Sequence, residues 1–148
     1  MIDNLGSIRI ETVTYHDSLV AIKDIRTRVF QEEQGVSADL EFDGWDESTI
    51  HFLAYAGNKA VGTARIREIN AATSKIERLA VLREYRQQGI GTKLMQSALA
   101  HIAQRNKSTV MVHAQVYIAS MYQQLGFTIV GEQFVEAGIA HVKMIKHL

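Results

Sequence analysis

Ile76-Glu77-Arg78-Leu79-Ala80-Val81-Leu82 runs into Arg83-Glu84-Tyr85 and then into Arg86-Gln87-Gln88-Gly89-Ile90-Gly91-Thr92. The first segment is a short apolar run interrupted by Glu77-Arg78, which suits a central strand covered on both faces. The last opens onto Leu94, Met95, Ala98, Leu99 and Ile102, one stripe at helical spacing. A strand therefore enters a glycine-containing turn that begins a helix. The first helical turn leaves its N–H groups unpaired, and the helix dipole adds positive potential there. Such an end binds phosphate. Gly89 and Gly91 let an anion approach the backbone without Cβ interference. Arg83, Arg86 and Lys93 add positive charge, opposed nearby only by Glu84. Two glycines alone would also describe an ordinary turn, and exposed arginines are usually just solvated. The pattern R-x-x-G-x-G between an apolar strand and an amphipathic helix is more specific. It is neither a Walker loop nor the G-x-G-x-x-G dinucleotide fingerprint.

Working outward, Ser7 to Thr14 reads as a first strand, with Ile8, Ile10 and Val13 near alternation. Asp17 or Ser18 caps a helix whose apolar face is Ile22, Ile25, Val29 and Phe30, and Gln34-Gly35 ends it. Val36 to Glu47 is acidic and irregular, with one short helical turn. Ile50 to Tyr55 and Ala60 to Ile66 form a hairpin about Gly57-Asn58. Asn70 to Ser74 is a second turn. Beyond the central helix, Thr109 to Gln115 is a strand and Ile118 to Leu125 a short helix closed by Gly126. Phe127 to Phe134 and Ala140 to Ile145 make a final antiparallel pair around Gly138. The order β-α-β-β-β-α-β-α-β-β predicts an α/β mixed sheet with helices on both faces.

The 148 residues fit one domain spanning 1–148 with a substantial core. Apolar residues are 47% and charged residues 22%, which excludes a disordered chain. Net charge is zero, so no global field draws the chain to nucleic acid or an anionic membrane. There is no cysteine, hence no disulfide, thiolate metal site or cysteine nucleophile, and a reducing cytoplasm is compatible. Met1-Ile2-Asp3-Asn4-Leu5 has no basic region followed by an apolar run, so no secretory signal is expected. No stretch approaches the length of a membrane span. No His pair has close helical spacing, and no metal is expected.

Arg86-Gln87-Gln88-Gly89-Ile90-Gly91 resembles the pyrophosphate-binding motif of the GNAT superfamily of N-acetyltransferases. Leu79-Ala80-Val81 resembles the family's cofactor-binding strand, and Ser120-Met121-Tyr122-Gln123-Gln124-Leu125-Gly126-Phe127 its Y-x-x-x-G-F segment. The likeness covers nearly the whole chain in element order. Arg28-Val29-Phe30-Gln31-Glu32-Glu33-Gln34-Gly35 and Gly138-Ile139-Ala140-His141-Val142-Lys143-Met144 are similar to a small bacterial branch called ElaA-like, whose acceptors are generally unassigned.

The resemblance implies acetyl transfer from acetyl-CoA, the cosubstrate, to a primary amine of a small molecule or protein. It implies a sheet that splays between the fourth and fifth strands, with pantetheine paired to free backbone groups near Leu79, Ala80 and Val81. Polarising the thioester oxygen there would stabilise the tetrahedral intermediate. The amides of Gln87, Gln88, Gly89, Ile90, Gly91 and Thr92, with Arg86 and Ser120 nearby, would hold the pyrophosphate. Tyr122 would pass a proton to the leaving thiolate; a helix tyrosine packed on the core is the plain alternative.

The amine must attack uncharged and so needs a base. Glu77 is charged inside an apolar strand, and base or acceptor contact stands level with a structural ion pair. Consecutive strand residues point to opposite faces, so Glu77 and Arg78 should not pair. Gln115 suits a role in the cleft, whereas His113 reads as a satisfied histidine. Glu33 resembles a residue lining the branch's acceptor pocket, and His141 fits the branch pattern. Arg78 completes the acceptor set. Asp39, Glu41, Asp43, Asp46 and Glu47 form a negative loop that could attract a cation, although such loops are usually only solvated. A homodimer through the terminal strands is compatible with this pattern and not required by it. A fold that holds acyl-CoA without turnover, as a binding or sensing module, is the competing reading.

Overall fold

The computed structural model describes residues 7–148, so the expectation for Met1 to Leu5 lies outside them. The strands are β1 (Ile8–Thr14), β2 (Ile50–Ala56), β3 (Lys59–Glu68), β4 (Thr73–Val81), β5 (Thr109–Gln115), β6 (Thr128–Glu136) and β7 (Ile139–His147). The α-helices are α1 (Leu19–Arg26), α2 (Ala38–Glu41), α3 (Ile90–Ala103) and α4 (Ala119–Gln124). One sheet runs in the order β1-β2-β3-β4-β5-β7-β6. All neighbours are antiparallel except β4 and β5. Among the described residues, no helix is long and apolar enough to cross a membrane.

Strand parity sets the two cores. Phe52 and Ala54 face one side with the buried α3 residues Leu94, Met95, Ala98 and Ile102. Leu53, between them in sequence, faces the other side with Ile22, Ile25 and Val29. Helices therefore cover both faces, as the element order predicts. Fully burying one such aliphatic side chain contributes roughly 1.5–3 kcal/mol.

Three local features depart from expectation. First, β4 begins at Thr73, inside the stretch read as a turn. Long-range pairing extends it: Ser74 lies opposite Glu68, and Lys75 opposite Arg67. Second, the first helix does not continue as α to Gln34. From Thr27 to Glu33 it is π-helical, and the Gln34 N–H donates to the Val29 carbonyl at 3.1 Å. The wider winding carries Phe30 and Gln34 into the cleft described below. Third, β4 carries a bulge. Arg65 lies opposite Glu77 and Thr63 opposite Ala80, so β4 holds one residue more than β3 across that interval. Arg78 takes it up with φ +57°. Parity slips there. Ile76 and, beyond the bulge, Leu79 and Val81 belong to the α3 side, whereas Ala80 and Leu82 join the core under α1.

The parallel β4–β5 ladder is short. It joins Thr73, Ser74 and Lys75 to Thr109, Val110 and Met111 and then stops. Beyond it β4 stays with β3, while β5 continues along β7 as far as Gln115 opposite His141. The sheet thus opens between its fourth and fifth strands.

Candidate active site

A cleft of about 850 Å³ occupies this opening. Its walls are the free edge of β4, the loop into α3, α4, the end of β5 and the β6–β7 turn. From Ile76 onward, the β5-facing edge of β4 has no ladder partner among the described residues.

At one end lies the glycine turn. Gln87 and Gly89 both adopt left-handed backbone, with φ +61° and +79°. Alternation of this kind turns successive N–H groups toward one side. Lys93 makes the first helical bond, to the Gly89 carbonyl at 3.0 Å. The N–H groups of Gln87 to Thr92 have no backbone acceptor among the described residues. Gly89 has open space where a Cβ would stand, so its requirement is conformational. At Gly91 a Cβ would meet Met121 Sδ at 3.6 Å and Val81 Cγ2 at 4.0 Å, ordinary contacts with two cleft-lining side chains. The protein itself therefore tolerates a side chain there. The donor set suits a linked diphosphate, and the free edge of β4 suits an extended amide-bearing arm.

Arg86 is committed inside the protein. Its Nε donates to the Val81 carbonyl at 2.9 Å, and its two terminal nitrogens grip both oxygens of Glu33. Arg83 adds a second cation 3.3 Å from Glu33. The hydrogen bond from Arg86 holds the Glu33 carboxyl below its ordinary range. Glu33 thus points to the glycine turn and does not line the cleft.

In the middle, α4 presents Tyr122. Its ring meets Phe127 edge-on with centroids 6.0 Å apart, and the residue is 5% exposed. The hydroxyl has no protein partner among the described residues, although the side chain lines the cleft. Burial pushes the phenol above its usual value, which keeps the proton on oxygen.

The far end is charged. Glu77 is held by Arg65 at 2.7 Å, Arg67 at 2.8 Å and Lys75 at 3.3 Å. Burial alone would raise its carboxyl; the hydrogen bond from Arg67 and the charges of Arg65 and Lys75 outweigh that and hold it at about 2. Of the two readings open for Glu77, the geometry supplies the ion pair. Glu77 and Arg78 do not pair with each other. Arg78 instead donates to the Glu41 carbonyl and to Asp43, each at 3.1 Å. The acidic loop is not merely solvated. Glu41 and Asp46 clasp Arg26, while Asp43 and Asp46 clasp Arg65. Both arginines are essentially buried. Three of the loop's five carboxylates are spent on these pairs, while Asp39 and Glu47 stay exposed.

Of the nominated residues, the cleft gathers Leu79, Ala80, Val81, Arg86, Gln87, Gly89, Ile90, Gly91, Thr92 and Ser120. It also gathers Tyr122, Glu77, Arg78, Gln115 and His141, but neither Gln88 nor Glu33. Gln34, Lys75 and Glu136 are among the lining residues that escape sequence reasoning. Gln34 exchanges amide hydrogen bonds with Gln115, the shorter at 3.1 Å, and so bridges the two sides. Lys75 lies 3.3 Å from His113, and Glu136 lies 3.0 Å from the same ring nitrogen. No local pattern marks the latter two; only the fold brings β4, β5 and β6 together. Ala137 and Gly138, with φ +51° and +77°, form the tight hairpin that sets Glu136 against His141.

Comparison with known proteins agrees with this geometry. The acetyltransferase (GNAT) domain family matches residues 14–148. The chain is 39% identical over 145 residues to the uncharacterized protein YyaT of Bacillus subtilis (strain 168), covering 95% of this chain and 97% of that one. An acyl-CoA N-acyltransferase from Pseudomonas aeruginosa superposes with a TM-score of 0.83 at 26% identity, covering 94% of this chain and 99% of that one. Escherichia coli ElaA gives the same TM-score and identity, again over 94% of this chain and 99% of its own. Splayed sheet, unpaired amides and sequence likeness converge: the chain belongs to the GNAT acetyltransferase family.

Proposed function

We propose that this protein transfers an acetyl group from acetyl-CoA to a primary amine by direct attack on the thioester. One observation carries the reading: the free edge of β4 leads from the unpaired amides of Gln87 to Thr92 to the unpartnered hydroxyl of Tyr122, within one cleft.

The cosubstrate supplies an activated acyl group. Gln87 to Thr92 hold its diphosphate through backbone N–H groups, with Ser120 on the opposite wall. Leu79, Ala80 and Val81 offer main-chain groups to the pantetheine arm and the thioester oxygen, where fixed donors act most strongly. Arg86, tied to Glu33 and Val81, keeps the loop in place. Tyr122 stays protonated near neutral pH and gives its proton to sulfur as the C–S bond breaks. Glu77, ionised and fully engaged, anchors the acceptor end.

The acceptor enters beside Gln34, Gln115 and His141. The carboxylates Glu41, Asp43 and Glu77 are matched by Arg65, Arg67, Arg78 and Lys75. With those carboxylates taken up by protein cations, the acceptor end favours an amine with one positive charge over a polycation. A cytoplasmic setting suits a cysteine-free enzyme of this kind.

Calorimetry with coenzyme A, followed by thiol release from acetyl-CoA across an amine panel, tests the reading. The expected result is binding, plus release that one class of amine accelerates. Tight binding without acceleration by any amine would leave the acyl-CoA-binding module as the better description.

A further inference from the structure

The proposed acetyl transfer requires a base, and Glu77 is committed elsewhere. The structure assigns that role to His141: its Nε2 accepts the proton of the incoming ammonium, with the Glu136 carboxylate placed to balance the charge on the ring. This rests on the acetyltransferase reading above.

The argument begins with the tautomer. His141 Nδ1 lies 2.7 Å from the carbonyl oxygen of Ile139. A carbonyl only accepts, so Nδ1 carries the hydrogen and Nε2 of the neutral ring keeps its lone pair. No hydrogen bond reaches Nε2 among the described residues. The nearest charged atom is Glu136 Oε2, 3.9 Å away, too far to occupy the lone pair and close enough to attract a cation. The ring is 6% exposed, stacks on Phe134 at 24° and 5.9 Å, and lines the cleft. It is therefore rigid, oriented and chemically unoccupied.

The other groups at this end are each engaged. Both Glu77 oxygens are paired with cations. Glu136 is hydrogen-bonded to His113, which holds its carboxyl below the ordinary range. His113 Nδ1 meets Lys75 at 3.3 Å as well as Glu136. The groups facing His141 are thus Glu136 and Phe134 of β6 and Gln115 of β5, with His113 and Lys75 one contact further. Glu77, Lys75, His113, Glu136 and His141 form a chain of contacts from the buried arginines to the cleft.

The balance closes. The ammonium gives one proton to Nε2, and the freed lone pair forms the C–N bond at the carbonyl carbon. The C–S bond breaks, and sulfur takes the Tyr122 proton. The amide nitrogen loses its second proton to the tyrosyl oxygen, and the imidazolium returns its own to water. The products are an N-acetylamine, free thiol and one proton.

Nitrogen-15 histidine NMR of the coenzyme A complex and pH profiles of acetyl transfer test this together. Probe amines are 2-phenylethylamine, 4-phenylbutylamine and N-α-acetyl-lysine amide, compared in wild type, His141→Gln, Glu136→Gln and His113→Gln. Neutral His141 should carry its proton on Nδ1. Wild-type kcat/KM should rise with pH through the His141 titration seen by NMR. In His141→Gln that limb should vanish and kcat/KM should drop roughly 100-fold, with coenzyme A affinity within about two-fold, while His113→Gln should keep the limb. Glu136→Gln should keep that limb and lower kcat/KM by less than His141→Gln does. A proton on Nε2 in neutral His141, or an unaltered limb in His141→Gln, would overturn the assignment. If wild type binds coenzyme A but acetylates none of the probes, the NMR result alone decides. Absence of coenzyme A binding would instead sink the parent reading, and this one with it.

Discussion

The loop that opens α3 follows β4 and the charged end of the cleft sits on it, yet the two are built by opposite means. The loop offers bare N–H groups, two left-handed residues and a partly exposed Glu33 paired with Arg86 and Arg83. The far end packs the buried Arg26 and Arg65 against Glu41, Asp46 and Glu77, with Asp43 at its exposed margin. A buried charge without its partner is costly, whereas unpaired N–H groups at a wet surface are not. The loop can therefore wait for an anion from outside. The far end must be complete before anything binds.

The largest effect should come from breaking the complete end. Arg65→Met takes one cation from Asp43, Asp46 and Glu77 together, and unfolding free energy should fall by about 3–5 kcal/mol, read from urea denaturation. A loss below about 1 kcal/mol would mean that the cluster is a spectator. Acid titration of wild type sharpens the same point. The Glu77 carboxyl is lowered from 4.5 to about 2 in the folded chain. Its stabilisation is full above the unfolded value and is lost as pH falls from about 4.5 toward 2. In Arg65→Met that acid limb should shrink.

Between the two ends, Tyr122→Phe removes a hydroxyl that no protein group holds. kcat should drop roughly 100-fold, with stability and coenzyme A affinity nearly unchanged. At the waiting end, Gly89→Ala forces an alanine to φ +79°. The conformational cost of about 1–2 kcal/mol should appear as roughly ten-fold weaker coenzyme A binding by calorimetry, because open space surrounds the site. The smallest effect belongs to Gln34→Ala, which cuts the Gln34–Gln115 amide pair. Stability should change by about 0.5–1.5 kcal/mol, with a few-fold rise in acceptor KM.

The same contrast explains what could be read in advance. The strand, glycine turn and helix from Ile76 to Ile102 are neighbours in sequence, and their chemistry is local. The Tyr122 segment is equally compact. Arg26 and Arg65 pair instead across 15 to 22 residues with a loop whose composition alone suggests solvent. The available signal was the arginines themselves, one on an apolar helix face and one in an apolar strand. The bulge left no local mark, since pairing with β3 forces Arg78 to its positive φ. The partnership of His113 with Glu136 likewise depends on β5 and β6 flanking β7 in the sheet.

That bulge has a consequence for how the chain can change length. Loops between strands absorb gained or lost codons, but the interval from Ile76 to Leu82 cannot. Losing one residue there would turn Leu79 and Val81 toward α1, and Ala80 and Leu82 toward α3. Each helix would then meet side chains shaped for its counterpart. Descendants of this sequence can exchange side chains along that interval, while its residue count stays constant.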